Sequence, residues 1–106
     1  MALILHNSLT RANEEFKPFK KDSVGLYTCG PTVYNYPHIG NYRAYIFTDI
    51  LKRYLTYRGY KLKHIMNITD VDDKTIRDSL SQGKTLKELT EFYTEGFFTD
   101  RDSLNI

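Results

Sequence analysis

Thirteen residues, 29–41, concentrate the side chains in this sequence that could do chemistry. The segment reads Cys-Gly-Pro-Thr-Val-Tyr-Asn-Tyr-Pro-His-Ile-Gly-Asn and offers a thiol from Cys29, a hydroxyl from Thr32 and an imidazole from His38. It joins an apolar run at 24–29 to a long amphipathic segment. A strand, a Gly- and Pro-rich turn and a helix form the first half of a nucleotide-binding βαβ unit, because the unpaired N–H groups that begin the helix can bind an anion. The segment therefore predicts a nucleotide site at the end of a strand.

Each of these side chains, considered alone, also has a structural interpretation. A cysteine at a strand end, such as Cys29, is often only a small buried hydrophobe. A histidine in the position of His38 is typical of a helix cap or a solvent-facing side chain. For Thr32 and Thr69, hydrogen bonding within a turn is the favoured interpretation. Gly40 has a steric role, since a side chain there would block the close approach of a nucleotide.

The strands that must position this segment follow from hydrophobic spacing. We expect a short strand at 2–5, a loop approach from Thr10 to Asp22, and a strand from Val24 to Cys29. A second strand is expected from Lys61 to Ile68. Because the connection between the last two strands crosses over in the right-handed sense, they should lie parallel.

Three helices complete the predicted order, which is α/β. The first runs from Tyr42 to Arg58 and ends at Gly59 as a left-handed cap, with Ile39 just before it expected in the core. The second runs from Lys74 to about Ser81, and the third starts at Thr85. The apolar face expected of the first helix is Phe47, Ile50, Leu51, Tyr54 and Leu55, and that of the third is Leu86, Leu89, Phe92, Tyr93 and Phe97.

The acidic turn before the second helix has two interpretations. Asp70, Asp72 and Asp73 could hold Mg²⁺ through their carboxylates. Capping and solvation are favoured, because acidic side chains stabilise a helix N-terminus by about 0.3–1 kcal/mol each. Packing is favoured over base stacking for the tyrosines at near-helical spacing, which are Tyr42, Tyr45, Tyr54, Tyr57 and Tyr60.

Composition limits the classes of protein to which this chain can belong. Its 106 residues, 41% of them hydrophobic, are enough for one globular unit with a modest core. The net charge of +2 is too small to predict nucleic-acid binding by itself. A single cysteine excludes an intrachain disulfide and is typical of a reducing compartment. Because apolar runs are short and no signal-peptide pattern follows Met1, we expect no membrane association and a cytoplasmic location.

Three sequence motifs resemble those of a known family. His38-Ile39-Gly40-Asn41 is similar to the His-Ile-Gly-His element of class I aminoacyl-tRNA synthetases, with Asn41 in the place of the last His. Two further motifs resemble those of cysteinyl-tRNA synthetases. They are Tyr-Thr-Cys-Gly-Pro-Thr-Val-Tyr at 27–34 and Asn-Ile-Thr-Asp-Val-Asp-Asp-Lys at 67–74. The opening at 7–11 also resembles that of the same family. The resemblance implies a Rossmann-like (HUP-type) parallel βαβ nucleotide-binding fold, incomplete here, with residues 1–106 as the N-terminal portion of the catalytic domain.

The resemblance also implies a reaction and roles for several residues. The reaction would convert cysteine and ATP, with Mg²⁺, to cysteinyl-adenylate and then transfer the cysteinyl group to tRNA(Cys). His38 and Asn41 would be catalytic, contacting ATP and stabilising charge as the α-phosphate is attacked. Asn41 can donate a hydrogen bond at any pH, so it can serve where the family usually has His. The residues implied in binding ATP or the amino acid are Gly30, Thr32, His38, Gly40, Asn41 and Thr69.

By the same resemblance Cys29 would be a zinc ligand. A bound zinc ion leaves a coordination position for the substrate thiolate, which serine cannot match. None of His6, His38 and His64 matches a ligand position of the family, whose other zinc ligands would lie outside this chain. Because a stable site needs about four ligands, or three plus an open position, we expect this chain alone not to hold zinc tightly.

Length is where the sequence departs from the family. Cysteinyl-tRNA synthetases are several times longer, and no Lys-Met-Ser-Lys-Ser phosphate-clamping loop is present here. We therefore expect the first part of an enzyme, which is inactive alone and binds ATP weakly. We also expect that it either self-associates through an open sheet edge or is only marginally stable. Two alternatives stay open. One is a related ligase that joins cysteine to an amino-sugar acceptor through the same adenylate, and the other is a catalytically inert fragment or binding module.

Overall fold

A computed structural model describes all 106 residues and contains two small sheets and three helices. In chain order the elements are β1 (Ile4–Asn7), β2 (Ala12–Glu15), β3 (Ser23–Thr28), α1 (Ile39–Tyr57), β4 (Lys61–Met66), α2 (Asp73–Ser81) and α3 (Leu86–Ser103). None of the helices is both long enough and apolar enough to span a membrane.

The strands β1 and β2 form an antiparallel hairpin, in which Leu5 lies opposite Glu14. The expected loop from Thr10 to Asp22 is therefore wrong in its first half, and the strand expected at 2–5 begins two residues later. The tight turn between the strands places Arg11 in the left-handed region, at φ 56°. Every side chain of β2 is exposed, so backbone pairing rather than burial makes this strand, and hydrophobic periodicity could not indicate it.

The strands β3 and β4 form the parallel pair that the sequence predicts, with α1 as the crossover. Val24 lies opposite Leu62 and Thr28 lies opposite Met66. Val24 is buried on one face of the sheet. The opposite face leaves Tyr27 and Ile65, neighbours in register, exposed. The α/β class and the parallel order are confirmed.

The helix α1 begins three residues earlier than predicted and ends as predicted at Gly59, whose φ is 91°. Its buried residues are Tyr42, Tyr45, Asp49 and Leu55. The expected stripe is wrong at Phe47 and Ile50, which are 68% and 61% exposed. Ile39, expected in the core, is the first residue of α1 and is 78% exposed, so that expectation is wrong.

An aromatic cluster explains which face of α1 is buried. Tyr42 and Tyr45 pack against Phe97 of α3, with Met66 and Ile68 beside them. The ring centroids of Tyr45 and Phe97 lie 5.6 Å apart, and the rings meet edge to face, which is an arrangement that aromatic pairs prefer. Packing of Tyr42 and Tyr45, and burial of Phe97, are confirmed. This cluster joins α3 to the helix that follows the Gly- and Pro-rich turn.

The helix α2 is capped as the acidic turn predicts. Asp72 is its N-cap residue, and its Oδ1 accepts a hydrogen bond from the backbone N–H of Lys74 at 2.9 Å. Thr75 completes the reciprocal cap, since its hydroxyl accepts from the Asp72 N–H. Gly83, at φ 62°, follows the end of α2. The cap fixes where Lys74 leaves the backbone, which matters for the site below.

Candidate functional site

His38 and Asn41 cap the start of α1 reciprocally. His38 Nδ1 accepts a hydrogen bond from the Gly40 N–H at 3.1 Å, and Asn41 Oδ1 accepts one from the His38 N–H at 2.9 Å. Capping, one of the two interpretations of His38, is thus what the structure shows. Both bonds use the side chains as acceptors. The donor groups of both side chains are left over.

The cap also determines which proton the His38 ring carries. Because Nδ1 accepts a hydrogen bond, the neutral imidazole holds its hydrogen on Nε2. The Asn41 amide NH₂ makes no hydrogen bond within the chain, since only its oxygen is used. The start of α1 therefore presents two side-chain donors beside the partial positive charge of the helix terminus. Such an arrangement suits an anionic ligand.

The carboxyl ends of β3 and β4 are tied together by Asn67. Its Oδ1 accepts from the Gly30 N–H at 2.8 Å, and its Nδ2 donates to Thr69 Oγ1 at 3.3 Å. A Cβ on Gly30 would lie 1.9 Å from the Asn67 carbonyl oxygen, so only glycine fits there. The Gly30 N–H is therefore engaged within the protein. The sequence analysis assigned no role to Asn67, although Asn67 is the first residue of the motif at 67–74.

Thr32 and Thr69 lie opposite each other in a short continuation of the parallel pairing. The Val33 N–H donates to the Thr69 carbonyl at 3.1 Å, and the Thr69 N–H donates to the Pro31 carbonyl at 2.9 Å. The Gly- and Pro-rich turn is therefore anchored to the end of β4 by backbone bonds. Those bonds hold both threonines in place without using the Thr32 hydroxyl. A role for either in binding the amino acid remains a prediction.

A cavity of about 180 Å³ opens beside this turn. Of the predicted site residues it brings together Gly30, Thr32 and Asn41, whereas His38, Gly40, Thr69 and Cys29 are not among its lining residues. The rest of its wall comes from Pro31, Tyr34, Asn35, Tyr36, Pro37, Tyr45 and Lys74. At Gly40 an added Cβ would approach only His38 Nδ1, at 3.4 Å. The chain itself therefore tolerates a side chain there, and the steric role of Gly40 toward a nucleotide remains a prediction.

Lys74 is the functional candidate that sequence reasoning missed. It is the only cationic residue lining the cavity. Its ammonium lies 5.2 Å from the centroid of the Tyr34 ring, a cation–π contact, and it makes no salt bridge to a carboxylate. A cation without a carboxylate partner at the rim of a polar cavity is available to an anion. The sequence signal for a functional role was the place of Lys74 at the end of the motif at 67–74. The helix pattern indicates only that a helix starts there.

Cys29 lies exposed, immediately after β3. Its thiol contacts the Gly30 carbonyl oxygen at 3.6 Å. No three His, Cys, Asp or Glu side chains come together as a group that could hold a metal ion. His64 is engaged elsewhere, with Nε2 at 2.7 Å from Thr28 Oγ1. An exposed thiol at a strand end can serve as one ligand of a metal centre, and a role for Cys29 as a zinc ligand remains a prediction.

Known proteins resemble this chain over nearly its whole length. Residues 15–106 match the family described as tRNA synthetases class I (C) catalytic domain. A cysteine–tRNA ligase of Methanosarcina acetivorans is 57% identical over 104 residues, which cover 98% of this chain and 22% of the relative. Ligases of the same name from Brachyspira hyodysenteriae and Koribacter versatilis are 54% and 52% identical over 104 and 106 residues.

The chain thus spans about 22% of the length of the first of these relatives. The family match includes the start of α1, the ends of both parallel strands and the cavity between them. The free donors at the helix start and the anchored turn lie within that matched region. This chain belongs to the family of class I tRNA synthetase (C) catalytic domains.

Proposed function

We propose that this chain forms the nucleotide- and amino-acid-binding part of a cysteine–tRNA ligase. The observation that carries the proposal is the reciprocal cap of α1, which uses the acceptors of His38 and Asn41 and leaves their donors free. The relatives named above support the substrate, since all three carry the name cysteine–tRNA ligase. The substrates would be cysteine, ATP with Mg²⁺, and tRNA(Cys). A tRNA-charging reaction would take place in the cytoplasm.

In the first step an oxygen of the cysteine carboxylate bonds to the α-phosphorus of ATP. The bond from that phosphorus to the bridging oxygen breaks, and pyrophosphate leaves. Negative charge builds on the α-phosphate oxygens, where His38 Nε2–H and the Asn41 amide are proposed to donate hydrogen bonds. Lys74 is proposed to balance the charge of an anionic group in the cavity. No strong general base is needed, because the carboxylate is already ionised and the chemistry depends on positioning.

Amino-acid choice is proposed to depend in part on Cys29. The thiolate of Cys29 would be one ligand of a zinc centre whose other ligands lie outside this chain. Zinc bound there would favour a substrate thiolate over a hydroxyl. Gly30, Thr32 and Thr69 are proposed to hold the rest of the amino acid from the ends of the parallel strands. The tie through Asn67 keeps those ends in register.

Cysteine-dependent exchange of pyrophosphate into ATP tests the activity. The protein to assay is the product of the complete reading frame that contains this chain. We expect exchange with cysteine but not with serine, and charging of tRNA(Cys). His38→Ala should lose most of the exchange, whereas His6→Ala, a matched control in the β1–β2 hairpin, should keep it.

The outcomes separate the alternatives. Exchange with cysteine followed by transfer to an amino sugar instead of tRNA would favour the amino-sugar ligase, which the names of the relatives do not favour. No exchange by the complete product would overturn the proposal and leave an inert binding module. If the complete product catalysed exchange and the 106-residue chain alone did not, this chain would contribute binding residues but have no activity of its own.

We also propose that the 106-residue chain on its own self-associates. Both outer edges of the β3–β4 pair lack a partner strand, and unpaired edges favour pairing with another chain. Tyr27 and Ile65 are exposed on one face of the same sheet. We expect the mass measured by light scattering to rise with concentration, and Ile65→Lys to reduce that rise. A monomer at all concentrations would contradict the proposal.

A further inference from the structure

The Gly- and Pro-rich turn is fastened to α3 by one aromatic ring. The Tyr36 ring centroid lies 5.1 Å from that of Tyr93 and 6.0 Å from that of Phe92, both at steep angles. Phe92 and Tyr93 are also in edge contact with each other, at 5.1 Å. Tyr36 belongs to the cavity wall, whereas the other two rings belong to a helix about 55 residues further along the chain. The contact therefore joins the candidate site to a distant element.

Gly96 makes room for this ring. A Cβ on Gly96 would lie 2.6 Å from Cε1 and 3.0 Å from Cδ1 of Tyr36, closer than real side chains approach. The backbone of Gly96 does not require glycine, since its φ is not positive. A glycine inside a helix also lowers the stability of that helix relative to alanine. Contact with Tyr36 is thus the feature of the structure that explains glycine at this position.

The ring is close in sequence to the groups proposed to contact the nucleotide. Tyr36 is followed by Pro37, whose backbone φ is restricted by its ring, and then by His38. A shift of the Tyr36 ring that moves its backbone would therefore reach His38 two residues later through a stiff proline. We propose that Gly96 is a positioning residue: by seating Tyr36 on α3 it sets where the donors of His38 and Asn41 point. The proposal rests on the proposed function for its kinetic consequence alone.

Gly96→Ala tests the proposal because the two interpretations of this glycine predict different kinetics. If Gly96 were only a helical glycine, alanine would raise the Tm and leave the kinetics unchanged. If it positions the turn, the complete reading-frame product should keep its Tm or gain. Its kcat/KM for ATP in cysteine-dependent exchange should fall about 10–100-fold, because small misplacements of reacting groups carry penalties of this size. Gly25→Ala is the matched control, since nothing lies within 4 Å of its added Cβ.

A double substitution identifies Tyr36 as the route. Tyr36→Leu removes the ring atoms that a methyl group at position 96 would meet, so Gly96→Ala should cost nothing further in that background. Tyr36→Leu alone should lower kcat/KM as Gly96→Ala does, and it carries the test if Gly96→Ala fails to fold. Independent, multiplying effects of the two substitutions would overturn the proposal. So would unchanged kinetics in either single variant.

Hydrogen exchange measured by mass spectrometry gives a readout that needs no activity. In the complete product, Gly96→Ala should speed exchange in the peptide that covers residues 34–41, and Gly25→Ala should not. Faster exchange there in a protein with no pyrophosphate exchange would keep the positioning contact and overturn the proposed function. Unchanged exchange in that peptide would overturn the positioning role, whatever the activity.

Discussion

Asn41→Asp separates the structural role of the α1 cap from its proposed catalytic role. Asn41 Oδ1 accepts the hydrogen bond from the His38 N–H, and a carboxylate oxygen can accept it equally well. The substitution removes only the NH₂ donors and adds a negative charge. Asn41→Ala, in contrast, removes both the cap and the donors. We therefore expect Asn41→Asp to be the more stable of the two variants and the less active.

The magnitudes follow from these contacts. A carboxylate in the first turn of a helix interacts favourably with the helix dipole by about 0.3–1 kcal/mol, so Asn41→Asp should unfold no more easily than the wild type. Losing a capping acceptor in Asn41→Ala should lower the free energy of unfolding by about 0.5–2 kcal/mol. For activity, losing one donor to the developing charge lowers kcat about 10²–10³-fold. The new carboxylate adds repulsion of about 4 kcal/mol toward a phosphate 4 Å away at an effective dielectric constant of 20.

Pyrophosphate exchange and thermal unfolding of the complete reading-frame product measure both orders. We expect stability in the order Asp at or above Asn, then Ala, and kcat/KM for ATP in the order Asn, Ala, Asp. Asn13→Asp is the control, because it adds the same charge in the exposed hairpin, where Asn13 Oδ1 pairs with His6. Full exchange activity in Asn41→Asp would refute the donor role. A loss of stability in Asn41→Asp equal to that in Asn41→Ala would refute the acceptor role of Oδ1.

Three further predictions concern the turn and the sheet. Lys74→Met should raise KM for a substrate by about tenfold or more, equivalent to about 1.4 kcal/mol, whereas Lys74→Arg should keep most of the affinity; equal KM values in both variants would contradict a charge role. Gly30→Ala should lower the free energy of unfolding by at least about 1–3 kcal/mol, because its Cβ would meet the Asn67 carbonyl, and urea unfolding that matches Gly25→Ala would disprove this. Burial lowers the pKa of His64 and Lys52 lowers it further, so the unfolded chain binds the proton more readily. The stability that neutral His64 provides is complete above about pH 6.5 and is lost as the pH falls below it. If the free energy of unfolding decreased as steeply in His64→Gln as in the wild type when the pH is lowered, this prediction would be contradicted.

The parallel βαβ unit could be predicted because its signals are local and agree. An apolar run, a Gly- and Pro-rich turn, an amphipathic stretch and Gly59 each point to the same boundaries. The strand β2 could not be predicted, since its side chains are all exposed and only backbone pairing with β1 defines it. The buried face of α1 could not be chosen either. Two apolar faces compete along that helix, and Phe97, more than 50 residues away from Tyr42, decides between them.

Within the site, the same division between local and distant contacts applies. The cap at His38 and Asn41 spans four residues, so the sequence alone could indicate it. The tie from Gly30 to Asn67 and the contact of Tyr36 with α3 join residues brought together only by the crossover and the packing of α3. Lys74 reaches the cavity from the first turn of α2, where the cap by Asp72 fixes its backbone. Its place at the end of the segment 67–74 was the one signal in the sequence, and its approach to the cavity depends on the fold.

A helix cap and a catalytic group are usually weighed as alternatives for a residue such as His38. At this turn the two roles use different atoms. A cap requires an acceptor for a backbone N–H, whereas a site for developing phosphate charge requires donors. Histidine and asparagine each carry one of both kinds, and the bonds observed at Nδ1 and Oδ1 orient the remaining donors. Aspartate would cap equally well, but a carboxylate has no donor to offer. Asparagine at position 41 therefore keeps both kinds of atom at the start of α1.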